Sequence, residues 1–281
     1  MHYNLRVKTY SDGVKQYFYS EKTKERGYKQ EKKEKTGGSV ERKELDNMKR
    51  ARAVVYDLAR NNVFDWFVTL TISPDFADRL DYDSCVECVY EFTQWMKDQN
   101  KRGAGFSWLM VPEQHKKGGY HFHGLVQGEL PVTPAINPHT GDLIKDKAGR
   151  QVYNIVSYKW GYTTATQVGD MPKAAGYLTK YLSKDMTVPK GRKRYWASRS
   201  LMRPAEEHIV MSSIEVGELL ERASYSKFIP SPYGDYVLFE VPPTQQNFYF
   251  VELEVTSLPL VSQSRYVPQD VSTRLSDTTL R

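Results

Sequence analysis

The decapeptide FDWFVTLTIS, Phe64 to Ser73, alternates with a period of two: Phe64, Trp66, Val68, Leu70 and Ile72 share one side and Asp65, Phe67, Thr69 and Thr71 the other. Aromatic and β-branched residues at that period specify a strand with a buried face, and Pro74 closes it. Two further strands are expected at Phe106 to His115 and Tyr120 to Gln127, joined by Lys116-Lys117-Gly118-Gly119, and a fourth at Tyr162 to Val168. Between them lie helical periodicities. Leu45, Met48, Val55 and Leu58 recur at helical spacing up to Asn61, a second helix around Val86, Val89, Thr93 and Met96 runs to about Asn100, and a third is capped by Asp170 with Pro172 in its first turn and continues to Asp185. This mixed order predicts an α+β fold with a mostly antiparallel central sheet.

The flanks differ in character. Residues 3 to 20 alternate around Ser11-Asp12-Gly13 and read as a hairpin, and Glu21 to Arg42 is lysine-rich and apolar-poor, a flexible basic arm. Prolines and glycines make residues 131 to 151 a surface excursion. Strands are expected at Tyr236 to Val241 and Phe248 to Val255. The boundaries that follow are 1–45 for hairpin and arm, 46–203 for the main domain and 204–281 for an acidic C-terminal segment.

Net charge is +6, unevenly spread. Residues 21–52 hold 12 Lys and Arg against 7 Asp and Glu, residues 172–203 hold 9 against 1, and residues 204–281 hold 5 against 11. A basic body suits a polyanion. Basic and aromatic residues interleave in KGRKRYWASR, which makes Lys190, Arg192, Lys193, Arg194, Tyr195, Trp196 and Arg199 candidate nucleic-acid contacts. The only cysteines, Cys85 and Cys88, exclude a disulfide framework and a four-thiolate zinc site, and their helical surroundings predict two half-buried thiols. No window reaches the roughly 18 apolar residues of a spanning helix. The opening MHYNLRVKTY lacks an apolar signal core, so a cytoplasmic protein without a membrane partner is expected.

Two constellations carry chemistry. In VPEQHKKGGYHFHGLVQ, His121 and His123 point to one face of a strand and Phe122 to the other. An even loop of four residues would set Gln114 on the histidine face. An odd loop or a bulge, which Gly118 or Gly119 could supply with positive φ, would bring Glu113 there instead, with His115 as a further candidate. Two imidazoles and a carboxylate suit an octahedral cation such as Mg²⁺ or Mn²⁺ with open positions. In the third helix Tyr177, Lys180, Tyr181 and Lys184 form one stripe and Ala175, Leu178 and Leu182 another. Lysines are almost never fully buried, so the first stripe faces a cleft, where ammonium groups favour phenolate and neutralise phosphate. Phosphodiester chemistry is the common denominator.

FVTLT at Phe67 to Thr71, HFHG at His121 to Gly124 and YLTKYLSK at Tyr177 to Lys184 resemble, in order and spacing, the three motifs of HUH endonucleases. The paired tyrosines look like the two-tyrosine rolling-circle replication initiators of small phages and plasmids. The resemblance spans about Phe64 to Asp185. It implies a sheet of about five antiparallel strands flanked by helices, Mg²⁺ or Mn²⁺ held by His121, His123 and an upstream acid best matched by Glu113, and Tyr177 and Tyr181 as nucleophiles with Lys180 and Lys184 beside them. The implied substrate is single-stranded or extruded origin DNA in the host cytoplasm. A 5′-phosphotyrosyl link stores the bond energy, so rejoining needs no ATP. No G-x-x-x-x-G-K-[ST] occurs, which leaves unwinding to a host helicase and synthesis to a host polymerase. An HUH transposase or relaxase and a non-nicking repressor are the alternatives. A zinc hydrolase is disfavoured by the lack of HExxH.

Overall fold

Asp12 accepts a hydrogen bond from Val14 N, and Gly13, at φ +80°, turns the chain back on itself. The expected hairpin forms there, as β1 (His2–Thr9) and β2 (Lys15–Glu25). The computed structural model describes residues 2–25, 40–115, 118–182, 188–189, 191–230 and 234–243, all within one unit, Met1–Pro243. The remainder of the basic arm, Lys184, Lys190 and the strand expected at Phe248 to Val255 lie outside the described residues.

Helix α1 (Val40–Asn61) precedes β3 (Trp66–Ile72), and α2 (Tyr82–Asn100) starts at Asp81, whose carboxylate accepts from Ser84 N at 2.8 Å. There follow β4 (Ser107–Gln114), β5 (Tyr120–Gln127), β6 (Val132–Pro134), β7 (Tyr153–Ile155) and β8 (Gly161–Gln167). Helix α3 (Met171–Lys180) begins at the Asp170 cap, and β9 (Trp196–Ala197), β10 (Ala205–Ile209), α4 (Ser213–Glu221), β11 (Tyr225–Ile229) and β12 (Tyr236–Val241) complete the chain. Among the described residues no helix is long and apolar enough to cross a membrane.

The fold is α+β, with two antiparallel sheets. The central one has seven strands rather than about five, in the order β6-β7-β8-β3-β5-β4-β9. The additional strands are short. Two of them come from the expected surface excursion and its return, which is organised by Val132↔Ile155 pairing and the bridges Ile136↔Leu143 and Lys145↔Gln151. The other sheet, β10-β1-β2-β12-β11, joins the first described segment to the last, so it crosses the boundaries expected at 45 and 203.

Alternation divides the central sheet into two working faces. Tyr82 of α2 packs its ring 5.2 Å from that of Tyr120, on the face of Phe122. Tyr177 and Tyr181 at the end of α3 pack on Phe67 and His123, on the opposite face. Val68, Leu70, Ile72, Phe92, Leu125 and Leu178 are fully buried between these layers. At about 25 cal/mol per Å² of apolar surface removed from water, such side chains dominate the stabilisation. Both cysteines are buried rather than half-buried, and burial pushes the Cys85 thiol up to about 12, so neither is a ready nucleophile.

Helix α1 ties the two sheets together by polar contacts. Asp57 accepts from Lys8 Nζ at 2.5 Å and from Tyr10 Oη at 3.1 Å, and Arg60 pairs with Asp12 at 2.6 Å.

Candidate functional site

The parity of the β4–β5 turn decides which acid joins the histidines. Glu113 pairs with His121 and Gln114 with Tyr120, and His115 N donates to Gly119 O at 2.8 Å, leaving three residues in the loop. Gly118 N donates to His115 O with φ at +89°, a conformation that favours glycine, and a Cβ there would stand 3.0 Å from Leu80. An odd loop therefore sets Glu113 on the histidine face. Gln114 is turned to the other side and donates to Gly118 O at 3.2 Å.

Two rows of residues cross this face. Glu113, His121, Thr71 and Tyr162 lie in register, and beside them Val111, His123, Thr69 and Thr164. Each histidine is held from behind: Thr69 Oγ1 is 3.1 Å from His123 Nδ1, and Thr71 Oγ1 is 3.1 Å from His121 Nδ1. A hydroxyl can donate or accept, so it supports either tautomer. His123 Nε2 and Glu113 Oε2 are 2.7 Å apart. That hydrogen bond from His123, helped by the charges of His123, His121 and His115, holds Glu113 below the usual carboxylate range despite partial burial. Burial first, then repulsion from His123 and His115, lowers His121 and favours its neutral, ligand-competent form.

Among the described residues no group of three His, Cys, Asp or Glu side chains closes as a ready-made cage. The donor chemistry nevertheless fits a hard divalent cation. Neighbouring donors at about 2.1 Å on an octahedral ion stand about 3 Å apart, close to the His123–Glu113 separation, and His121 lies directly across from Glu113.

The tyrosine stripe reaches this face. The Tyr181 ring lies flat on His123 at 3.6 Å between centroids, Tyr177 stands edge-on to Tyr181 at 5.4 Å and to Phe67 at 5.3 Å, and Lys180 Nζ is 5.5 Å from the Tyr177 centroid. The other stripe, Ala175, Leu178 and Leu182, is fully buried as expected. The α-helix itself stops at Lys180, short of the expected Asp185. Tyr181 N closes onto Leu178 O and Leu182 N onto Thr179 O in a tighter turn, so the Tyr181 ring's packing on His123 prevails over local helix propensity. Tyr177 is 48% exposed, whereas burial, a hydrogen bond with Tyr177 and the nearby Glu113 charge raise the Tyr181 phenol above its ordinary value.

The basic–aromatic segment lies at the β9 edge of the sheet, lining an open groove of about 1100 Å³ together with Lys97, Trp108 and Arg203. Lys193 and Arg199 are exposed there, Arg194 pairs with Glu44 and Arg192 with Asp83. Trp196 is not a free stacking surface: its ring packs 5.5 Å from Phe122 and 6.3 Å from Tyr82, as the β9–β4 pairing demands. Tyr195 is likewise partly buried against the core. Sequence reasoning missed Thr69, Thr71 and Tyr162. The alternation that placed Val68 and Leu70 inward also placed both threonines on the histidine face, and Tyr162, 76% exposed, was legible only once β8 was paired with β3.

Residues 65–186 match the model of a family described as replication-associated protein ORF2, which supports a role in initiating replication. The matched stretch opens at β3 and contains Glu113, both histidines and both tyrosines. No curated protein and no solved structure matches the chain.

Proposed function

We propose that this chain initiates rolling-circle replication by nicking and rejoining single-stranded origin DNA through a 5′-phosphotyrosyl intermediate. The observation that carries the reading is the meeting of Glu113, His121 and His123 with Tyr177 and Tyr181 on one sheet face, inside the stretch that matches the replication-associated family. His121, His123 and Glu113 would hold Mg²⁺ or Mn²⁺. A divalent cation there polarises the scissile phosphate and offsets the charge developing on its oxygens.

The chain's own residues do the rest. A tyrosine Oη attacks phosphorus and loses its proton to solvent; the P–O3′ bond breaks, and the departing oxygen takes up a proton as a free 3′-OH. Rejoining is the reverse reaction. Tyr177 is the more exposed phenol, with the Lys180 ammonium beside its ring, and makes the first attack. Tyr181, stacked on His123, takes the second strand while Tyr177 is occupied. The groove at the β9 edge, with Lys97, Lys193, Arg199 and Arg203, neutralises backbone phosphates. Unwinding and synthesis fall to host proteins.

Labelled single-stranded origin libraries incubated with the protein and Mn²⁺ test this on a denaturing gel. A cation-dependent covalent adduct, absent from the Tyr177→Phe/Tyr181→Phe double variant, is the expected result. Absence of any adduct from the wild type argues for a protein that only binds DNA.

A further inference from the structure

The second sheet contains a feature that the nicking reaction does not use. Between the pairs Leu5↔Tyr19 and Tyr3↔Lys24 the register slips, two steps along β1 against five along β2, so β2 bulges opposite Asn4. Beneath the bulge is a cavity of about 70 Å³ lined by Tyr3, Asn4, Arg6, Phe18, Ser20 and Lys24. Two of the six side chains are cationic and none is a carboxylate. Ser20 is 2% exposed, yet its hydroxyl has no hydrogen-bond partner among the described residues. A buried polar group left unpaired is costly, and a bulge that creates such a group beside two cations calls for an acceptor-rich ligand.

Both cations are parked on aromatic rings. Arg6 Cζ is 5.0 Å from the Phe18 centroid, and Lys24 Nζ is 4.3 Å from that of Tyr236, the residue paired across from Ser20. Cation–ring contacts are weak beside a charge-assisted hydrogen bond to a phosphate oxygen, so either group can turn onto an anion at little cost. The volume accommodates a tetrahedral oxyanion in place of about two waters.

We infer that this cavity binds one backbone phosphate of a single-stranded nucleic acid, with Arg6 and Lys24 as counter-charges and Ser20 donating to a phosphate oxygen. The pocket stands on its own lining. Only the carrier of the phosphate, a DNA strand running away from the histidine–tyrosine face, rests on the function proposed above. The site is a second point of purchase on the strand, carried by the sheet that α1 clamps to the catalytic body through Lys8–Asp57 and Asp12–Arg60.

The test uses the full chain and a fluorescent single-stranded oligonucleotide without divalent cation, so that cleavage does not enter. Each phosphate contact on a single strand contributes about 0.7 to the slope of log K against log salt, equivalent to roughly fivefold in affinity at 0.1 M salt. Arg6→Gln/Lys24→Gln lowers the slope by about that amount and weakens binding equally for all sequences, with the thermal midpoint as a control for folding. Should the double variant fail to fold, Lys24→Gln alone, at the end of β2, reads the same quantity. Ser20→Ala weakens oligonucleotide binding while leaving the thermal midpoint unchanged or higher, which a merely structural serine would not do. Inorganic phosphate, titrated against chloride at constant ionic strength, moves the amide resonances of Arg6, Ser20 and Lys24 in the wild type only. A slope and affinity unchanged in every variant overturn the inference, and phosphate-induced shifts with an unchanged oligonucleotide slope overturn the nucleic-acid carrier. If the wild type binds with the expected slope but forms no adduct with Mn²⁺, the nicking reading fails and the pocket remains.

Discussion

Thr69 and Thr71 are small residues with a large share of the site's organisation, because each fixes the ring of one histidine through Nδ1. Removing such an outer partner of a metal-ligating histidine typically costs 10–100-fold in metal affinity. Thr69→Val keeps the shape and β-branching but not the hydroxyl. It is expected to weaken Mn²⁺ binding by roughly that factor, read by electron paramagnetic titration, with the fold unchanged. Glu113→Gln preserves volume while removing the charge, so nicking is lost while oligonucleotide affinity, set by the basic surface, changes less than twofold. Acid pH acts on the same atoms. Imidazoles must be neutral to bind a cation, so affinity falls as pH drops through the histidine range. His121, whose pKa is lowered, stays competent to a lower pH than an ordinary histidine. The histidine face was legible from alternation alone. The third ligand was not, because two adjacent glycines, Gly118 and Gly119, offered turns of either parity, and only the positive φ at Gly118 selects Glu113.

At the scale of the element, α3 is the piece whose placement matters most, and its first turn depends on Asp170. That carboxylate accepts from Lys173 N at 2.9 Å and pairs with Lys173 Nζ at 2.9 Å, contacts that hold it below its ordinary value. A carboxylate depressed in the folded state contributes stability that is full above its unfolded pKa and is lost as pH falls through the folded one. Asp170→Ala is expected to cost about 0.5–1 kcal/mol near neutral pH, the low end for a cap because the side chain is solvent-exposed. The difference should disappear in chemical denaturation below the carboxylate range. Capping and the buried Ala175, Leu178 and Leu182 stripe were both readable from sequence. The helix's C-terminus was not, since no glycine or proline marks it. Tyr181 leaves the helix to stack on His123, a contact with a strand 58 residues earlier in the chain.

For the whole molecule, the lesson lies in the second sheet. The hairpin at the start and the acidic segment after Pro204 each looked self-contained, and local periodicity carries no information about pairing across some 200 residues. Leu5↔Ile209 and Tyr17↔Phe239 nevertheless bind them into one layer over Val216 of α4. Truncation after Arg203 removes β10, α4, β11 and β12, leaves both edges of the first hairpin unpaired and exposes Leu5, Val7 and Tyr17. The shortened protein is expected to lose hydrogen-exchange protection throughout β1 and β2 and to aggregate, while the amides of β3 and β5 remain protected. Equal protection of β1 and β2 in both forms would show that the hairpin stands alone.

The central claim, that a tyrosine of α3 carries the DNA strand, is tested most directly by mass spectrometry of the peptide recovered after reaction of the wild type with single-stranded origin DNA and Mn²⁺. The account predicts a nucleotide-phosphate adduct on Tyr177, transferred to Tyr181 in the Tyr177→Phe variant and abolished by EDTA. An adduct on a residue outside this pair, or one that forms undiminished after the cation is removed, would contradict it.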